Sequence, residues 1–269
     1  MIGTDTPLGW LWRFCATLLR GPERPVEPRS TPNAPTATQK PDSAEAPTMP
    51  QPQPLILDLP RLMTPHRHFQ GGCEWAMTVL GICVDGGLPE RTTGEPETMR
   101  RVWQSYGGTI RYYADAYEVP CELIMATIAT ESGGNPLACR LEPGYVSDEA
   151  TPGRVSPGLM QTLISTAREV LNNGSVGRTF LLSPAGSIQA GTAYISRQKT
   201  KTHYDPPLVA AAYNAGGVYY QGGERNRFRL RCYPLGTSEH VDRWVRWFGD
   251  SLSVLREGQI PEMSFAAAV

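Results

Sequence analysis

The chain has 269 residues and a net charge of −1, from 25 basic and 26 acidic side chains. That length allows one or two domains, and the near balance of charge lacks the basic footprint that a phosphate backbone requires, so nucleic acid is not an expected partner. Six cysteines, Cys15, Cys73, Cys83, Cys121, Cys139 and Cys232, are too few and too scattered for a small disulfide scaffold, although one or two bridges stay open outside the cytosol.

Residues 1–20 contain PLGWLWRFCATLLR, a short apolar run with two tryptophans. No basic residue precedes the run, Arg13 interrupts it and no small-residue cleavage site follows, which argues against a cleaved signal peptide. It is also too short to span a bilayer. Trp10, Phe14 and Leu18 would share one helical face, so a docking or interfacial helix and a disordered tip are both open readings. Residues 21–60 read as a Pro-rich disordered linker, since 13 of the 25 prolines fall within the first 65 positions and little there can offset ordering entropy. Residues 61–96 read as a connecting segment whose apolar run, WAMTVLGICV, predicts one short helix or strand packed on the main domain.

The main domain is expected over 97–258, followed by a tail at 259–269. Val102, Tyr106, Ile110, Tyr113 and Tyr117 recur at steps of three or four, as an amphipathic helix requires, with Gly107 and Gly108 expected to bend or break it. Pro120 suits the first position of a second helix, CELIMATIATES, which Gly133 and Gly134 end. Further helices are expected at about 157–171, 184–198, 206–214 and 238–255. The best strand signal is RFRLRCY at 227–233, where arginines alternate with Phe228, Leu230 and Cys232. The fold class is therefore mainly α with a small β element.

On the helix after Pro120, Ile124, Thr127, Ile128 and Glu131 share one face, so the Glu131 carboxylate extends an apolar stripe. Desolvation and the negative end of the helix dipole both raise the pKa of an unpaired carboxyl placed there. A group that keeps its proton near neutral pH suits general-acid chemistry. Spacing alone leaves open a structural glutamate, paired with an arginine or tilted into solvent.

Three motifs in order, ESGGNP, SPGLMQT and AAYNAGG, make residues 98–255 resemble the catalytic domain of soluble lytic transglycosylases and their goose-type lysozyme relatives. The resemblance implies a lysozyme-like α+β fold and an enzyme that cuts peptidoglycan glycan strands between N-acetylmuramic acid and N-acetylglucosamine, with no metal or cofactor. Glu131 matches the family's single catalytic glutamate. Ser132 and Asn135 belong to the same motif and steady the turn after the helix. Met160 and Gln161 match the segment that lines the sugar cleft. Tyr213 and Asn214 match the opposite wall, with the phenol placed to orient the glutamate. Each also has a plainer role: Gln161 as a surface residue, Asn214 as a helix cap, Tyr213 as a core aromatic.

The sequence departs from the family where Gln161 falls 30 residues beyond Glu131. The excess, CRLEPGYVSDEATPGRV, holds Glu142, Asp148 and Glu149. An inverting muramidase would use a second carboxylate there to activate water, with Asp148 the first candidate, whereas a solvated lid is the commoner use of such a loop. Ser156 is the nearest counterpart of a serine that many members carry after the glutamate. Leu163 and Ile164 replace the usual methionine and proline.

His66, His68, Cys73 and Cys83 have no spacing that fits a compact zinc site. Neither His203 nor His240 lies in a nucleophile-elbow context. A tryptophan-bearing head on a linker, without a convincing signal, suggests a phage or prophage particle component or the substrate of a secretion machine that residues 1–20 would dock. A non-catalytic wall-binding or structural virion module remains an alternative.

Overall fold

The computed structural model describes residues 58–269. The expectations for residues 1–20 and for most of the Pro-rich stretch lie outside them. Asp58 opens the first helix, α1 (Leu59–Met63), by accepting the Arg61 backbone N–H. Two antiparallel strands follow, β1 (Trp75–Thr78) and β2 (Gly81–Val84), with Trp75 opposite Val84. The single apolar run is thus folded back on itself as a hairpin. It is anchored far along the chain: the Trp75 indole N–H donates to Asp205 Oδ1 over 2.9 Å, and the ring of His66, which bridges to Trp75, meets Asp205 Oδ2 at 2.7 Å. That contact raises the His66 pKa and favours its charged form.

The amphipathic pattern from Glu97 forms one continuous helix, α2 (Glu97–Tyr117). The paired glycines do not break it. A Cβ on Gly107 would stand 3.1 Å from the Trp103 ring, so this glycine makes room for an indole instead of a bend. The next helix, α3 (Cys121–Ser132), is buried continuously from Cys121 to Ala129 and packs between α2 and the last long helix. Each fully buried Leu, Ile or Met in that run contributes about 2 kcal/mol by leaving water. Gly133, at φ +61°, ends it by donating its N–H to Ala129 O, a backbone conformation that costs glycine nothing.

Strands β3 (Cys139–Leu141) and β4 (Val155–Pro157) pair antiparallel, Arg140 opposite Ser156, and so bracket the inserted residues. The helix expected from 157 begins only at Ile164, as α4 (Ile164–Val170). Between them Gly158 and Gln161 take φ values of +86° and +49°, which no right-handed helix accommodates. The remaining helices are α5 (Arg178–Leu182), α6 (Pro184–Arg197), α7 (Lys199–Thr202), α8 (Pro206–Ala215), α9 (Glu239–Arg256) and α10 (Phe265–Ala268). Those at 184, 206 and 238 follow the expected proline and serine starts closely.

The run RFRLRCY is not a strand. Phe228, Leu230 and Cys232 are buried in alternation as expected, but Arg229 sits at φ +56° and only an isolated bridge joins Leu230 to Tyr220. Arg227 is drawn aside by Glu90 and Asp242, at 2.8 and 2.7 Å. Near the end of the chain, α10 docks on α3: the N–H groups of Phe265 and Ala266 donate to the buried Glu122 carboxylate over 3.0 and 2.8 Å.

The fold is mainly helical, with two small antiparallel hairpins. One large core includes α3 and the inner faces of α2, α8 and α9, and a smaller one lies beneath β4, α4 and α5. Among the described residues the five cysteines are free thiols, and no helix is long and apolar enough to cross a membrane.

Candidate active site

Glu131 is the penultimate residue of α3. Its side chain keeps 20% exposure, so the carboxyl looks out of the protein while dense packing surrounds the rest of it. Desolvation pushes its pKa up to about 7, against opposing pulls from the cations Arg243 and Arg140. Among the described residues none donates a hydrogen bond to it. A half-protonated, unclaimed carboxyl at neutral pH can give a proton and take one back.

The loop 158–163 forms one wall, and its shape is set from behind. A Cβ on Gly158 would fall 1.8 Å from Leu181 O, so only glycine lets the loop lie on α5. The Gly158 N–H donates to Ala138 O over 2.7 Å, and the Met160 N–H donates to Ser187 Oγ over 3.0 Å. Ser132 ties the helix end to this loop, its hydroxyl donating to Leu159 O over 2.7 Å, and it accepts the Gly134 N–H. Asn135 steadies the next turn by accepting the Leu137 N–H at 3.0 Å.

Gln161 is held more tightly than a sugar-reading side chain would be. Its amide nitrogen donates to Ala138 O and Gly158 O, over 3.0 and 2.7 Å, and its oxygen faces the Ser156 hydroxyl at 3.4 Å. Ser156 itself is buried. The expectation that Met160 lines the cleft needs correction: its side chain is wholly buried and packs against Gly191, where any Cβ would strike its sulfur. It backs the wall and does not reach its surface.

On the other side, the Tyr213 phenol lies 2.9 Å from both Met160 O and Thr162 Oγ1. Those two contacts occupy it, so the phenol braces the loop and makes no hydrogen bond to Glu131. Its burial raises its pKa well above the ordinary tyrosine range and keeps it protonated. Asn214 accepts the Tyr233 N–H at 2.7 Å and turns its amide nitrogen to His240 Nδ1 at 3.4 Å. His240 fits no nucleophile elbow, and nothing local in the sequence marks it as a neighbour of Glu131. Its Nε2 lies 3.9 Å from Glu131 Oε1.

Asp148 stands in a network of its own. Arg178 donates to both of its oxygens, over 2.7 and 3.0 Å, and the Tyr145 hydroxyl donates over 2.8 Å. The Arg178 contact holds its pKa below the usual carboxylate range. Glu142 pairs with Arg140 at 2.9 Å.

Comparison with known proteins finds similarity over the segment that holds Glu131. Residues 108–229 match the family model described as the Transglycosylase SLT domain. A 106-residue stretch is 34% identical to the membrane-bound lytic murein transglycosylase C of Yersinia enterocolitica, covering 38% of this chain and 26% of that protein. Two solved structures are similar over 60% of the chain: an inactive mutant of the lytic transglycosylase Slt from Pseudomonas aeruginosa, at 18% identity and TM-score 0.45 over 25% of its length, and the 70 kDa soluble lytic transglycosylase Slt70 from Escherichia coli, at 22% identity and TM-score 0.41 over 26%. The chain thus spans about a quarter of the length of each of these relatives. Glu131, the 158–163 loop and Asn214 all lie inside the residues that match the transglycosylase SLT domain model.

Proposed function

We propose that this chain is a peptidoglycan lytic transglycosylase, cutting the β-1,4 bond between N-acetylmuramic acid and N-acetylglucosamine with Glu131 as its only acid and base. The observation that carries the reading is the state of Glu131. Its pKa is raised to about 7, and it is free of hydrogen bonds at the end of a buried helix within the matched family segment. Protonated, it gives its proton to the leaving glycosidic oxygen. As carboxylate, it then takes the proton of the muramic C6 hydroxyl while that oxygen closes on C1, leaving a 1,6-anhydro end. No water enters and none is consumed.

In this reading Ser132, Asn135, Ser156, Gln161, Tyr213 and Asn214 shape the substrate cleft chiefly by fixing its backbone. Glycan strands are the partner, and the cell wall is the place of action. The inverting muramidase would draft a carboxylate from the insertion, and Asp148 is poorly suited to it, since Arg178 and Tyr145 already occupy both of its oxygens. Mass spectrometry of wall digested by the protein tests the choice: anhydro-muramyl fragments are expected, and fragments heavier by one water would overturn the lyase. A wall-binding or virion module without turnover would release no fragments.

The domain limits used in the sequence, a 97–258 catalytic body behind a connecting segment and a Pro-rich linker, belong to the same reading. So does delivery by a phage or prophage particle or by a secretion machine, through residues 1–20. Recovery of the chain in purified virions supports that route, and trimming by signal peptidase argues for ordinary export.

A further inference from the structure

Although Glu131 holds no hydrogen bond, one buried donor is aimed at it. His240 is the second residue of α9 and is only 4% exposed, with Nε2 facing Glu131 Oε1 at 3.9 Å. Among the described residues that nitrogen has no hydrogen-bond partner. A buried ring nitrogen left unpaired costs free energy, so the arrangement asks for a compensating use.

The far side of the ring shows where its proton sits. Tyr233 N–H donates to Asn214 Oδ1 over 2.7 Å, which fixes the amide and leaves its nitrogen toward His240 Nδ1. An amide NH2 can only donate, so when Nδ1 accepts from Asn214 the one proton of neutral imidazole lies on Nε2, and this contact competes with the Ala210 carbonyl, which draws a ring proton to itself. Burial, with Arg243 adding to it, pushes the His240 pKa down to about 3, and the weaker opposing pull of the Ala210 carbonyl does not undo this. The ring stays neutral across the working range.

Resting on the reading of Glu131 as acid and base, we propose that His240 is a positioning residue whose neutral Nε2–H is held in reserve for the Glu131 carboxylate. At 3.9 Å the two atoms are beyond hydrogen-bond range, as suits a protonated Glu131. Once Glu131 passes its proton to the leaving oxygen, the new negative charge draws the N–H in, and a charge-assisted bond forms on Oε1. No proton crosses between the two side chains: His240 keeps its own, and Glu131 regains one from the C6 hydroxyl. Holding Oε1 leaves Oε2 to work on the sugar, so one oxygen is steered and the other reacts. The other groups around this carboxyl act differently. Arg243 of α9 and Arg140 of β3 are exposed and pull on it through solvent, while the Tyr213 phenol of α8 is occupied by Met160 and Thr162.

The test is an NMR titration of the Glu131 carboxyl carbon in the free protein, run on the wild type, His240→Phe and His240→Gln. A donor stabilises the charged form, so its loss in His240→Phe raises the Glu131 pKa by about one unit. Glutamine, whose amide N–H reaches roughly to the Nε2 position, restores most of that shift. The alkaline limb of glycan-strand cleavage moves in step. An unmoved or lowered Glu131 pKa in His240→Phe, with the fold intact by its melting curve, overturns the proposal. A lowered value would mean that Nε2 accepts a hydrogen bond from protonated Glu131. Because the titration needs no turnover, it stands apart from the wall assay: absence of released fragments from the wild type would defeat the catalytic reading alone.

Discussion

The two ends of α3 carry a matched pair of glutamates with opposite fates. Glu122, in the first turn, and Glu131, in the last, both have pKa values raised to about 7 by desolvation. Glu122 is fully buried and accepts two backbone N–H groups from α10. Glu131 accepts none and keeps an opening to solvent. A raised pKa therefore does not by itself mark a catalyst. What separates the two is whether the surrounding chain has already claimed the oxygens.

Substitutions can break this contrast, and the largest expected effect is on Glu131. Glu131→Gln should lower glycan-strand cleavage by about 10³-fold or more while the melting temperature holds, and an active variant would remove the basis of the proposed function. In the wild type, the acid form is lost as pH rises through about 7, so cleavage should fall on that limb. Stability follows the same sign. Both glutamates have folded-state pKa values raised above the unfolded 4.5, so their contribution is fully present below about pH 4.5 and is lost as pH rises through about 7. Denaturant unfolding at pH 5 and pH 8 measures this, and Glu131→Gln should remove its share.

Next in size is Gly158→Ala. The Leu181 carbonyl and the positive φ together should cost about 3 kcal/mol, read as a lowered urea midpoint, because the loop cannot move without leaving α5. Glu122→Ala should cost about 2 kcal/mol by stranding two backbone donors. It should speed amide exchange at Phe265 and Ala266 and leave the cleavage rate of the folded protein nearly unchanged. The contrast would blur if it abolished turnover in folded protein. The smallest effect belongs to Asp148→Asn. Its partner Arg178 is partly exposed, so less than about 1 kcal/mol of stability is at stake, and wall digestion should stay within a few-fold of wild type. A collapse of activity there would revive the muramidase.

Much of this contrast was legible in the sequence, on one side only. The apolar run of α3, its proline start and its glycine end are local signals, and they placed Glu131 at the edge of the core. Glu122 was not legible, because its partners Phe265 and Ala266 lie in a stretch read as a tail. The segment 157–163 misled for a related reason. Its composition suits a helix, but contact with Leu181 forces the backbone elsewhere, and tertiary packing outweighs propensity. RFRLRCY alternates as a strand does, yet its arginines are spent on Glu90, Asp242, backbone carbonyls and the Tyr233 hydroxyl, and among the described residues no neighbouring strand completes a ladder. The three motifs do fall on segments that meet around Glu131, while the packing of Met160, Gln161 and Tyr213 behind that surface depends on contacts that no spacing encodes. His240 is the extreme case, distant in the chain and adjacent only in the fold.

The pairing of β3 with β4 has a consequence for how such a site can diverge. Arg140 lies opposite Ser156, so the thirteen residues between the strands, 142–154, begin and end at a fixed gate, while Ser132 ties α3 to Leu159 and Gly158 seats the next loop on α5 separately. Such a stretch behaves as an exchangeable cassette. Lengthening, shortening or recharging it would change what reaches the surface beside Glu131 and leave Glu131, its helix and its brace where they are.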